Sequence, residues 1–318
     1  MKVVLILCDS LRYDRVNLKN MPNLSDIKQN GVSFEYFFAN GGTTKWSMPH
    51  FLSGKREYDP INNFPKLLTS NGVSNLIVHS NAVLVNEKYQ DCFRFHKDVG
   101  IEMAPIEQTV RNRFRHSKIW KATRPLRKMI TGSKETPYRR AENIFLYAQK
   151  QLDLYDSGFY WIHLMDPHIP YVSPSLSVAE RHRAEELYEN VLSNIRQNTE
   201  ITEEESRELE SFYDAECLYM DAEIGKFVDA NPGTVFIVTS DHGEMFGETG
   251  SYSHGPYYHG MTFQLGHIPF VVYGPGVKEN HIVTDYHASI EVGSTILDLF
   301  ELDPVNGYGK SFKKEIMK

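Results

Sequence analysis

Cysteine is scarce in this chain of 318 residues. The three present, Cys8, Cys92 and Cys217, are odd in number and far apart, which excludes a disulfide framework and a cysteine-based zinc site. Long apolar runs are missing too: nothing approaches the roughly 18 consecutive apolar residues of a membrane-spanning helix. The apolar run that ends at Cys8 is too short for a signal peptide, and Asp9 and Arg12 follow where small residues of a cleavage site would be needed. Internal repeats, low-complexity linkers and any clear domain boundary are likewise absent. What remains is 41% apolar and 24% charged residues, the balance of a soluble globular protein long enough to bury a full core. The expectation is one α/β domain over residues 1–318, in the cytoplasm.

Charge is unevenly spread. The chain carries 34 Lys and Arg against 41 Asp and Glu, a net of −7. Between Arg111 and Arg140 there are 11 basic residues and one acid, Glu135, a local +10 that leaves −17 for the rest. A basic insertion at about 111–140 is expected, either a solvated segment or a surface contacting a membrane or a polyanion. Aromatic residues are few there and no nucleic-acid motif accompanies the charge, so no nucleic-acid partner is expected. The acidic counterpart, Ala179 to Phe227, reads as amphipathic helices with the acids facing water.

Short apolar runs alternate with helical patterns. Strands are expected at 2–8, 32–38, 74–79, 159–164, 234–239 and 268–273. Helices are expected after Pro22, at 65–70, 140–154, 203–229 and 290–300, with 83–110 irregular. This order predicts a mainly parallel central sheet with helices on both faces. Three strands end on acidic or imidazole side chains: the first at Asp9, a later one at Asp166 and His168, another at Asp241 and His242. Carboxyl ends of parallel strands share one edge, so these groups can converge into a mixed oxygen and nitrogen set suited to a divalent cation. Alone, Asp9 is equally an N-cap or a turn carboxylate. The segment Gly41-Gly42-Thr43-Thr44-Lys45-Trp46-Ser47 adds hydroxyls at the expected start of a helix. Free N–H groups there favour an anion, although Thr44 or Ser47 is equally a plain N-cap.

From end to end the chain resembles the alkaline phosphatase/sulfatase superfamily, in its sulfatase-like branch. The matching pieces are Cys8-Asp9-Ser10-Leu11-Arg12, Met21-Pro22-Asn23-Leu24, Thr44-Lys45-Trp46-Ser47-Met48-Pro49 with Gly54, His163-Leu164-Met165-Asp166-Pro167-His168, Tyr213-Asp214-Ala215-Glu216, Thr239-Ser240-Asp241-His242-Gly243-Glu244, and His267-Ile268-Pro269. The resemblance implies metal ligands at Asp9, Asp241 and His242, with the nucleophile at Thr44, which joins the metal set; Thr43 and Ser47 are alternatives. It implies that His168 contacts the substrate's charged group, and that His254 or His259 supplies the basic residue after the late Asp-His pair; Lys45, next to Thr44, is a further candidate donor to the substrate's charged oxygens. His50, His79, His96, His116, His182, His267, His281 and His287 are read as structural or exposed.

Two departures from the family pattern direct the functional expectation. A Thr occupies the position where sulfatases proper carry a Cys or Ser converted to formylglycine within a Cys/Ser-x-Pro-x-Arg motif. Ser10 follows Asp9 where a second Asp is usual, which fits a single-metal site. Together they imply one divalent ion (Mn, Zn, Mg or Ca) and a covalent phospho-Thr44 intermediate formed on a phosphodiester or phosphomonoester. The expected substrate is a small or glycan- or lipid-linked anionic ester. The alternatives are a sulfuric ester hydrolase working without formylglycine, a phosphosugar mutase-like enzyme, and an inactive protein that binds an anionic glycan or lipid.

Overall fold

The computed structural model describes residues 1–100, 138–254, 261–304 and 309–318. In chain order the strands are β1 (Lys2–Cys8), β2 (Val32–Phe38), β3 (Asn75–His79), β4 (Phe95–Asp98), β5 (Gly158–Leu164), β6 (Thr234–Ser240), β7 (Phe270–Tyr273) and β8 (His281–Ala288). The helices are α1 (Pro22–Asn30), α2 (Thr44–Ser53), α3 (Phe64–Ser70), α4 (Ala82–Asn86), α5 (Ala141–Leu152), α6 (Val178–Gln197), α7 (Glu203–Asp229), α8 (Phe263–Gly266), α9 (Val292–Leu299) and α10 (Lys313–Ile316). The sheet has eight strands in the order β4-β3-β5-β1-β6-β7-β2-β8. Parallel pairing joins β4, β3, β5, β1 and β6, while β7 runs antiparallel to both β6 and β2. The expected mainly parallel α/β sheet is therefore present, with one reversed strand.

Strand β1 lies at the centre because its residues are apolar on both sides. Alternate side chains enter two cores: Val4, Ile6 and Cys8 pack with α1, α5, α6 and α7, while Val3, Leu5 and Leu7 pack with α2, α3 and α9. Register then fixes the functional edge. Cys8 pairs with Leu164 on one side and Ser240 on the other, so the residues just beyond all three strands emerge together. The long acidic helices begin with matching devices: Ser177 with Glu180 and Thr202 with Glu205 form capping boxes. Among the described residues no helix is long and apolar enough to cross a membrane.

Residues 83–100 differ from the expected irregular stretch. They contain most of α4, a 3-10 turn over Tyr89–Cys92 and the edge strand β4. The polar β4 sequence Phe-His-Lys-Asp is exposed throughout, so it carries no apolar pattern by which to be recognised. Strand β8 was missed for a related reason: it is the opposite edge and half exposed. Residues 101–110 and nearly all of the basic insertion, 111–137, lie outside the described residues.

Candidate active site

Asp9, Asp241, His242 and Thr44 are each delivered by a strand end or a helix start. Strand β1 runs directly into Asp9, and Ser10 turns the chain at φ 64°, a left-handed conformation that costs a serine energy and is held by its surroundings. In that pose the Ser10 N–H donates to Asp241 Oδ1 at 3.3 Å and its Oγ donates to Asp9 Oδ1 at 3.0 Å. Thr44 opens α2, where the first N–H groups have no helical partner. Gly41 allows the preceding loop to close on that turn, since a Cβ there would lie 2.4 Å from the Trp46 carbonyl carbon. The Thr44 hydroxyl donates to Asp9 Oδ2 at 3.1 Å. Of the alternatives to Thr44, Ser47 is fully buried and donates to the Asp241 carbonyl at 2.6 Å, while Thr43 is the N-cap residue.

The Asp9 carboxylate is the hub. Besides Thr44, its Oδ2 accepts from Asn81 Nδ2 at 2.8 Å and lies 3.3 Å from His163 Nε2. Burial opposes ionisation of Asp9, but the His163 hydrogen bond and the neighbouring His168 and His242 outweigh it and hold the carboxyl well below the usual range. Across the site, His242 Nε2 is 3.6 Å from Asp9 Oδ1 and 3.5 Å from Asp241 Oδ2. Its Nδ1 lies 2.8 Å from the Gly243 carbonyl. A proton on Nδ1 satisfies that carbonyl and leaves the lone pair on Nε2, the arrangement metal-binding histidines adopt.

That arrangement supplies the test of fit for a cation. Asp241 Oδ2 and His242 Nε2 are buried without a hydrogen-bond partner. Two acceptors facing each other across a carboxylate-lined gap are costly unless a positive charge lies between them. Two overlapping sets have ligand atoms close enough to share an ion: Asp9, His242 and His254, and Asp9, His163 and Asp241. Oxygen and imidazole donors together suit a hard or borderline divalent ion. The residues present fit the group.

The remaining expected residues fall into three placements. His254 is in the site: its ring lies 4.3 Å from that of His242 and 4.9 Å from that of His168. Burial disfavours its imidazolium, yet the adjoining Glu244 carboxylate prevails and pushes its pKa up to about 9. His168 is held by its own loop, Nδ1 to the Ile169 carbonyl at 2.7 Å, and burial lowers its pKa. Lys45 points to the surface and pairs with Glu87 at 2.8 Å. Asp166 stands at the shared edge but turns away, accepting from the Ala141 N–H at 3.2 Å and lying 3.5 Å from Arg140 Nη1. His259 lies outside the described residues.

Sequence reasoning missed Asn81 and His163. Asn81 carries the signal used elsewhere, a polar residue just beyond a buried strand, and His79 Nδ1 accepts its backbone N–H at 3.2 Å. His163 sits inside β5, where a strand-end rule does not look.

A family model described as Sulfatase matches residues 2–302. Arylsulfatase K from Mus musculus is 26% identical over 152 residues, covering 46% of this chain and 26% of that protein. The chain thus spans about a quarter of the length of that relative. Phosphonate monoester hydrolase from Silicibacter pomeroyi superimposes with a TM-score of 0.68 at 18% identity, covering 98% of this chain and 76% of that one. The soluble domain of lipooligosaccharide phosphoethanolamine transferase A from Neisseria meningitidis gives 0.67 at 18% identity, covering 96% and 89%. At these identities the two structures establish the fold.

Proposed function

Since the chain belongs to the sulfatase family, whose members hydrolyse or transfer sulfate or phosphate esters, we propose that it is a metal-dependent phosphate ester hydrolase or phosphotransferase with Thr44 as its nucleophile. One observation carries the reading. The Thr44 hydroxyl opens α2 at 3.1 Å from Asp9 Oδ2, beside the unpartnered Asp241 Oδ2 and His242 Nε2. Asp9, Asp241, His242 and the Thr44 hydroxyl would hold the cation, which when bound lowers the pKa of that hydroxyl and offsets charge on the phosphoryl oxygens. The N-terminus of α2 directs unpaired N–H groups toward the same charge. His254, carrying a proton, protonates the leaving oxygen, and His168 lines the anion's path.

Phosphorus is preferred over sulfur because Thr44 replaces the Cys or Ser from which formylglycine is made, and no Cys/Ser-x-Pro-x-Arg motif surrounds it. The substrate proposed is a small or glycan- or lipid-linked anionic phosphoester. The similarity to arylsulfatase K favours a second reading, sulfate ester hydrolysis from an unmodified Thr. The test is a panel of aryl phosphomonoesters, phosphodiesters and aryl sulfates with Mn, Zn, Mg and Ca. Turnover of a phosphoester is expected, with a phosphate adduct on the Thr44 peptide after rapid quench. Thr44→Ala should abolish turnover while keeping the fold and the bound metal; retained activity in that variant rejects the assignment.

A further inference from the structure

Glu244 is fully buried yet ionisable, and the reaction outlined above gives it no task. Both of its oxygens lie within hydrogen-bond distance of His254 Nδ1, at 3.1 and 3.0 Å. The carboxylate is itself fixed: Tyr171 donates its hydroxyl to Oε2 at 3.0 Å, and the Met245 N–H donates to Oε1 at 3.2 Å. The chain makes this contact by a tight excursion. Ser253 N–H donates to the Met245 carbonyl at 2.8 Å and Gly247 N–H to the Ser251 carbonyl at 3.0 Å, which returns residue 254 over residue 244. Gly247 suits the bend because its φ is 99° and a Cβ there would lie 2.6 Å from the Tyr252 hydroxyl.

We infer that Glu244 is a positioning residue that holds His254 with its proton-bearing Nδ1 toward the protein, so that Nε2 is the nitrogen that exchanges protons with the substrate. A carboxylate behind an imidazole selects the tautomer, fixes the ring and stabilises the imidazolium. The only other polar neighbour of Nδ1 among the described residues is Ser10 Oγ at 3.4 Å, a weaker hold that would let the ring turn. The nucleophile is the Thr44 alkoxide, whose proton has passed to solvent before the transfer. In the first half-reaction its Oγ–P bond forms and the P–O bond to the leaving group breaks, with the Nε2 proton passing to the leaving oxygen. In the second, a water or acceptor hydroxyl returns a proton to Nε2 as its oxygen bonds to phosphorus and the P–Oγ bond breaks, releasing Thr44 as the alkoxide.

This inference rests on the phosphoester reading, and its test separates the two. The full-length, metal-loaded protein is assayed with esters of poor, alkyl leaving groups and of good, nitrophenyl leaving groups. An acid matters most for a poor leaving group. Glu244→Gln should therefore lower kcat/KM on alkyl esters by about 10- to 100-fold, the size of losses from second-layer partners. On nitrophenyl esters the loss should be several-fold smaller. His254→Ala should show the same dependence, and the double variant should be no worse than His254→Ala alone. Equal losses on both ester classes, or additive losses, overturn the inference. If Glu244→Gln does not fold, Tyr171→Phe should show the same leaving-group dependence at reduced size, and a flat response overturns the inference equally. Activity surviving in Thr44→Ala would instead sink the phosphoester reading itself.

Discussion

Two fully buried acidic clusters stand at the carboxyl edge of the sheet, and the chain treats them in opposite ways. Asp166 and Glu216 face a cation that the protein supplies: Arg140 Nη1 lies 2.6 Å from Glu216 Oε2 and 3.5 Å from Asp166 Oδ1. Asp9 and Asp241 face no Lys or Arg side chain among the described residues; their side-chain neighbours are imidazoles, two hydroxyls and an amide. Both clusters retain unpartnered oxygens. In the first, one arginine offsets one charge of two, so burial still pushes Asp166 up to about 6 and Glu216 up to about 8. In the second, Asp9 stays ionised against burial. The first cluster is a closed structural clasp, whereas the second leaves ligand atoms of Asp9, Asp241 and His242 close together with no cation from the described residues among them.

The sharpest way to break this comparison is to damage the second cluster. Asp241→Asn should lose its bound metal by elemental analysis and lower turnover by at least about 10³-fold, since a catalytic cation supplies several kcal/mol to the transition state. Chelation should lower the Tm of the parent protein, as removal of any ligand specific for the folded state does, and leave that of Asp241→Asn unmoved. Equal chelator responses in the two proteins would mean that the second cluster holds no metal.

Damage to the clasp should instead appear as lost stability. Arg140→Met leaves two buried carboxylates without their cation and should cost about 3–5 kcal/mol in denaturant unfolding. A cost below about 1 kcal/mol would show that the carboxylates are protonated rather than paired.

Glu216→Gln should cost no more than about 1 kcal/mol near neutral pH, because one charge of the pair is in excess. The pH dependence follows from the raised pKa. A carboxyl whose folded pKa lies above its unfolded value binds more protons when folded, so stability falls as pH rises from its ordinary range, about 4.3, through about 8. Glu216→Gln should flatten that slope in Tm measurements across the window; an unchanged slope would place the titration elsewhere.

The smallest effect belongs to Lys45, whose partner Glu87 lies at the surface. Lys45→Ala should alter stability by less than about 1 kcal/mol. If Lys45 leaves Glu87 to meet the substrate, KM for the anionic ester rises severalfold at constant kcat. An unchanged KM removes it from the substrate site.

Much of this molecule was legible in its sequence. Uninterrupted apolar strands such as Val3–Cys8 must be buried on both faces, and that alone implies a covered, mainly parallel sheet. The convergence of Asp9, Asp241 and His242 was legible because strand ends in such a sheet share one edge. The polar edge strand β4 and half-exposed β8 were not, because only neighbouring strands make strands of them.

Local pattern therefore determined which residues reach the functional edge, since burial and side-chain periodicity are properties of short segments. It did not determine which carboxylates would stay unpaired there. Asp166 resembles Asp241 as a strand-end acid, yet it faces Arg140, 26 residues upstream, while Asp241 faces His242 and Asp9. Asn81, His163 and the Glu244–His254 pair joined the site only when β3, β5 and the 244–254 excursion were packed against β1 and α2. Charge compensation acts over a few ångströms in space rather than along the chain, and only the tertiary structure settles those distances.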